Sequence, residues 1–164
     1  MGSKCMKKLF SASIFVLIGL SIAGCSGLMK GQRMEKVRFE HVAINVKDPI
    51  AMADWYCKNL GMTIVFKADP PANTRFIKDA GGKARIELYN NSSAPIPDYA
   101  SQDLLVLHFA FNVDNVKATC DRLIEAGAKM DKDVTVTAAG DEIATVRDPW
   151  GIALQFVKRA KPMK

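Results

Sequence analysis

The stretch His41-Val42-Ala43-Ile44-Asn45-Val46 returns 67 residues later as His108-Phe109-Ala110-Phe111-Asn112-Val113. His, Ala, Asn and Val recur at matching places, and these are the chain's two histidines. A duplication of this kind is a strong constraint, because both copies must adopt one local fold. Each stretch alternates in polarity, the signature of a half-buried strand. Side chains on a strand alternate faces, so His41, Ala43 and Asn45 share one face, and His108, Ala110 and Asn112 share the equivalent one. A face made of one imidazole, one small residue and one amide leaves room for a ligand. The opposite face, Val42, Ile44 and Val46 with Phe109, Phe111 and Val113, reads as core.

The repeat continues past these strands. Asp48-Pro49 follows the first and Asn115 the second. Asp and Asn suit a helix N-cap, and proline suits the first helical position. The helical runs close at Leu60-Gly61 and Ala126-Gly127, where glycine suits the left-handed cap. Ile77-Lys78-Asp79-Ala80-Gly81-Gly82 then answers to Val146-Arg147-Asp148-Pro149-Trp150-Gly151. A strand follows each turn, and Glu87 in the first copy is matched by Gln155 in the second.

Each module therefore reads strand, helix and three further strands. Module one, 37–89, has strands at 37–46, 62–67, 74–79 and 84–89 and a helix at 49–59. Module two, 104–158, has strands at 104–113, 133–137, 142–147 and 152–158 and a helix at 115–126. Ala68 to Ala72 is a turn. Asn90 to Asp103, with Pro95 and Pro97, is the linker between modules. The expected domain runs over 37–160.

The net charge of +6 is not a property of that domain. Lys4, Lys7, Lys8, Lys30 and Arg33 all precede the first acid, which leaves residues 34–164 at +1. No basic patch remains, and nucleic-acid binding is disfavoured. Met6-Lys7-Lys8 and the apolar run Leu9 to Ile22 have the layout of a secretory signal. The run is short for a membrane span and holds Ser11, Ser13, Gly19 and Ser21. Ile22-Ala23-Gly24-Cys25 resembles the lipobox of bacterial lipoproteins. The resemblance implies a signal peptide over 1–24, lipid on Cys25, a tether over 25–36, and an exported protein anchored to a membrane. Cys57 and Cys120 remain, one on each expected helix. Export permits a disulfide between them, while two small buried residues is the simpler reading.

The βαβββ–βαβββ pattern with a histidine opening each copy resembles the vicinal oxygen chelate superfamily, which includes glyoxalase I, extradiol dioxygenases and bleomycin-resistance proteins. The matching motifs are His41-Val-Ala-Ile-Asn-Val-Lys-Asp, Ile86-Glu87-Leu88-Tyr89, His108-Phe-Ala-Phe-Asn-Val-Asp and Asp148-Pro-Trp-Gly. The resemblance implies an α+β fold in which two tandem modules curl mixed sheets into a cup around one divalent metal. It implies the ligands His41, Glu87, His108 and Gln155. It also implies a homodimer, since relatives often complete the cup across two chains, although other relatives close it within one chain.

Two imidazoles, one carboxylate and one amide oxygen form a nitrogen and oxygen set suited to zinc, nickel or cobalt, and also to iron or manganese. Such a site leaves positions for a small substrate with two adjacent oxygens, and the resemblance implies lyase or isomerase chemistry through a metal-bound enediolate, with Glu87 as the catalytic carboxylate. Arg85 and Tyr89 share Glu87's face and are expected to line the cup. Asn91 lies where glyoxalase I has an asparagine that contacts glutathione. With Asn45 and Asn112 these complete the expected substrate-binding residues. Asn45, however, stands where glyoxalase I has an arginine, and Gln155 cannot act as a base. The alternative is a non-catalytic small-molecule binding or resistance protein of the same fold. Trp55 and Tyr56 are expected in core and interface rather than in the site.

Overall fold

The structure, a computed structural model, describes residues 35–163; the signal, lipobox and most of the tether expected from the sequence lie outside these residues. The first module comprises β1 (Val42–Asn45), α1 (Pro49–Leu60), β2 (Thr63–Lys67), β3 (Arg75–Lys78) and β4 (Arg85–Tyr89). The second comprises β5 (Phe109–Asn112), α2 (Val116–Glu125), β6 (Lys129–Val136), β7 (Glu142–Arg147) and β8 (Ala153–Lys158). Each module forms one four-stranded mixed sheet, in the order β1-β4-β3-β2 and β5-β8-β7-β6. The fold is the expected α+β pair of βαβββ modules. Among the described residues no helix is long and apolar enough to cross a membrane.

The helix signals work as their chemistry requires. Asp48 accepts a hydrogen bond from the Ala51 N–H, Asn115 accepts one from Ala118, and Pro49 opens α1. Gly61 ends α1 in the left-handed region at φ 67°. Met52, Ala53 and Tyr56 of α1, and Val116, Cys120 and Leu123 of α2, are buried against the sheets. From the sheets come Ile77, Leu88, Leu154 and Phe156, all within 1% of complete burial. Burial of each such side chain stabilises the fold by about 1.5–3 kcal/mol.

Two strands are shorter than the sequence suggests. β1 and β5 begin at Val42 and Phe109, so the segments before them, expected as strand, are not. Both are sheet-edge strands, and their outer backbone groups have no partner strand among the described residues. Leu104 to Leu107 instead forms turns. β6 begins earlier than expected, at Lys129, because it pairs with β7 through two register shifts that hide its alternation.

The modules are locked together by the two aromatic residues assigned to the interface. Trp55 Nε1 donates to the Ala126 carbonyl at 2.8 Å, and its ring stands edge-on to Trp150. Tyr56, fully buried, donates its hydroxyl to Asp148 Oδ2 at 2.7 Å. Asp148 Oδ1 meanwhile accepts the Trp150 and Ile152 N–H groups, which fixes the β7–β8 turn. Gly151 of that turn has φ +90°, and a Cβ there would lie 2.6 Å from the Ala100 nitrogen of the linker. Cys57 and Cys120 are free thiols, and burial pushes both upward in pKa. They are packing residues, as the simpler reading expects.

The linker is tied at both ends. Asn45 Nδ2 donates to the carbonyls of Asn91 and Ala94, and its Oδ1 accepts the Asn91 N–H. On the other module Arg147 donates to the carbonyls of Tyr99 and Gln102.

Burial pushes the Asp148 carboxyl up to about 6, against the pull of its hydrogen bonds from Tyr56 and the turn backbone. At 4% exposure it is a true interior acid. A folded-state pKa above the unfolded value means the native state holds a proton that the unfolded state has released. This group's contribution is therefore most favourable below about pH 4 and is lost as pH rises through 6. Asp148→Asn keeps the oxygen that the turn needs and removes the titration. Denaturant unfolding should show the variant gaining on the parent by up to about 3 kcal/mol between pH 4 and pH 7. A pH-independent difference would refute the assignment.

Candidate metal and substrate site

Parallel pairing of β1 with β4 places Ala43 beside Glu87, and His41 opens the same strand face. His41 Nε2 lies 3.2 Å from Glu87 Oε2. Two atoms bound at right angles to one metal, each at about 2.1 Å, stand about 3 Å apart. The pair therefore has the spacing of two neighbouring ligands. The other ring nitrogen, Nδ1, is held by the Glu40 carboxylate, and that bond raises the His41 pKa above its usual value, opposed by desolvation and assisted by Glu87.

His108 is oriented in the same way by different means. Its Nδ1 lies 2.9 Å from the Leu104 carbonyl. A carbonyl can only accept, so Nδ1 carries the proton and Nε2 keeps its lone pair. Metal-binding histidines almost always have the second nitrogen tied to a carboxylate or a carbonyl. Both histidines of this chain meet that requirement, which is the observation that fits the residues to a metal.

The remaining expected residues fall in several places. Gln155 sits beside Ala110 on the β5–β8 pair, the position that mirrors Glu87, and lines a pocket with Thr145 and Lys132. His108 and Asn112 line a separate cleft of about 540 Å3, shared by Arg85, Phe109 and Arg122. Among the described residues no three His, Cys, Asp or Glu side chains converge on one point. The chain thus brings His41 and Glu87 together, while His108 and Gln155 line separate openings.

Arg85 and Tyr89 do lie on Glu87's strand with the same alternation, half-buried. Asn45 is turned to the linker. It is 7% exposed and its amide is spent on the linker. The Asn91 side chain accepts the Ser93 N–H and shapes the same linker. Sequence reasoning missed Glu40, although its place next to His41 was a visible signal. It also missed Phe76, whose ring meets His41 edge-on with centroids 5.1 Å apart. Only the strand register brings Phe76 there.

A family model described as the Glyoxalase/Bleomycin resistance protein/Dioxygenase superfamily matches residues 38–156. The chain belongs to that superfamily. A relative named as a probable lactoylglutathione lyase, from Synechocystis, is 29% identical over 72% of this chain and 92% of its own length. Among solved structures, a glyoxalase family protein from Bacillus cereus is similar over 79% of this chain and 99% of its own, at 16% identity and a TM-score of 0.66. A glyoxalase I variant from Zea mays is similar over 76% of this chain and 46% of its own, at 24% identity and a TM-score of 0.61. These two likenesses establish the fold of this superfamily member, with its paired modules.

The His108 tautomer follows directly from the geometry. In metal-free protein at alkaline pH, nitrogen NMR should show His108 as the Nδ1–H form. A fast mixture of tautomers at that ring would remove the orientation described here.

Proposed function

We propose that this chain is an exported, lipid-anchored glyoxalase-type protein that holds one divalent metal per site and acts on a small substrate with two adjacent oxygens. The observation that carries the reading is the matched orientation of the two histidines, each tied at Nδ1 and leaving Nε2 for a metal. His41, Glu87, His108 and Gln155 would hold the ion, with zinc, nickel or cobalt the best match to this donor set and iron or manganese also suited to it. The metal, when bound, supplies a Lewis acid that stabilises negative charge on substrate oxygen. Glu87 is the only carboxylate of the set and carries the proton between carbons. Gln155 orients and does not exchange protons. Arg85 and Tyr89 border the substrate.

Among the described residues no three His, Cys, Asp or Glu side chains converge within one chain, and β1 and β5 are both edge strands. The reading is therefore a homodimer, in which His41 and Glu87 of one copy complete a site with His108 and Gln155 of the other. The exposed apolar residues just before each edge strand, Phe39 and Val106, occupy equivalent repeat positions and would be covered there.

Calorimetry on metal-stripped protein tests the site. His41→Ala or His108→Ala should abolish binding of zinc, and Glu87→Gln should weaken it strongly. Gln155→Ala should cost little. Glu40→Gln should weaken binding by roughly tenfold, the usual effect of losing an outer partner. Binding should fall with pH, since both imidazoles must be neutral to ligate. If parent and His108→Ala titrate alike, the histidines are structural. A monomer at micromolar concentration in light scattering would remove the dimer.

Anchoring rests on Ile22-Ala23-Gly24-Cys25 behind a basic and apolar leader. Cys25→Ala should leave unprocessed precursor in cells. Normal cleavage and membrane fractionation of that variant would overturn the anchor.

A further inference from the structure

Beside the His41–Glu87 pair stands an aromatic wall that the fold does not need. The register Glu87↔Phe76↔Phe66 sets three side chains in a row across β4, β3 and β2. Phe66 stands edge-on to Phe76, centroids 5.7 Å apart at 79°. The register shift between Ile64 and Phe66 makes Val65 an extra residue. As a result two consecutive residues, Val65 and Phe66, line one pocket, where regular alternation would send them to opposite faces. The pocket measures about 470 Å3 and is completed by Phe76, Glu40 and Arg85. Phe66 is left 55% exposed and Val65 45%.

The second module serves as an internal control. Its equivalent row is Gln155↔Thr145↔Lys132. The same sheet, with the same kind of bulge, accepts a hydroxyl and an ammonium where the first module has two phenyl rings. Core packing therefore does not explain Phe66 and Phe76. The rings make a corner of two nearly perpendicular planes, which favours a flat apolar guest stacked on one and edge-on to the other. Arg85 forms the rim. Its nearest anion among the described residues is Glu40, 4.0 Å away and beyond hydrogen-bond reach. A guanidinium with donors to spare suits a carboxylate. A peptide-like body would need several amide and ammonium partners, and this pocket offers only Glu40 and Arg85 as polar groups.

We propose that the Phe66–Phe76 corner and Arg85 select a substrate with an aromatic ring bearing a distal carboxylate, the adjacent oxygens pointing to His41 and Glu87. The inference rests on the reading of that pair as the reacting end.

Three probes separate its parts: lactate has the adjacent oxygens alone, mandelate adds the ring, and 4-carboxymandelate adds the distal carboxylate. NMR titration of the full chain in detergent, with zinc and with a chelator, should rank them in rising affinity by about tenfold at each step. Phe66→Ala should erase the step from lactate to mandelate and leave lactate unchanged. Arg85→Gln should erase only the step from mandelate to 4-carboxymandelate. The chelator should lower all affinities and preserve the order. Zinc binding with three equal affinities overturns the pocket and spares the metal site. An intact order with no zinc binding overturns the metal site and spares the pocket. If Phe66→Ala changes the mass in light scattering and no probe affinity, the aromatic wall is a subunit contact and the inference is wrong.

Discussion

The site depends on one backbone pairing made twice. In each module the first strand runs parallel to the last, β1 beside β4 and β5 beside β8. Parallel strands cannot be joined by a hairpin, so the chain between them must leave the sheet, form a helix and return through two more strands. That long excursion brings residue 41 beside residue 87, and it puts Ala43 and Ala110 next to the Glu87 and Gln155 positions. Small neighbours keep the space over the acid and the amide open. The histidines sit just before these strands, where the backbone is free of the ladder and the ring can be turned by a local partner, Glu40 in one case and Leu104 in the other.

The repeat made much of this readable without coordinates. The offset between the histidines gave the modules, the alternation gave the face, and Asp48, Asn115 and the glycines gave the helix ends. The core and interface role of Trp55 and Tyr56 was legible because both lie on the first helix and not on a ligand-bearing strand. Three things were not. The lengths of β1 and β5 depend on a neighbour for their outer edge, which local sequence does not encode. The job of Asn45 depends on where a linker 46 residues away passes. The aromatic wall depends on a bulge, and a one-residue shift in register cannot be read from composition.

The two copies have since taken opposite electrostatic positions on the same motif. Asp79 and Asp148 hold equivalent turns by accepting backbone N–H groups. Asp79 sits near solvent, and those donors, Ala84 first, hold its carboxyl below the usual range. Asp148 is roofed by Tyr56 from the other module, and desolvation outweighs the same kind of donors. Tyr56 is in turn driven well above its usual pKa, by burial first and then by the Asp148 charge. One motif thus yields a plain turn in one copy and an interior acid in the other. The difference is not in the motif but in what packs on it.

The linker has a mechanical meaning. Its first half is fastened to β1 by Asn45, and its second half to β7 by Arg147, while Gly151 lets its backbone run flush against the second module. Only about four residues between these ties carry any slack, which is too few for the modules to swing on a free hinge. The Trp55 and Tyr56 contacts oppose the same motion. The spacing of the His41–Glu87 pair from His108 is consequently set when the chain folds. A ligand or partner that engages both finds that spacing already fixed, and little ordering entropy is left to be lost at the encounter.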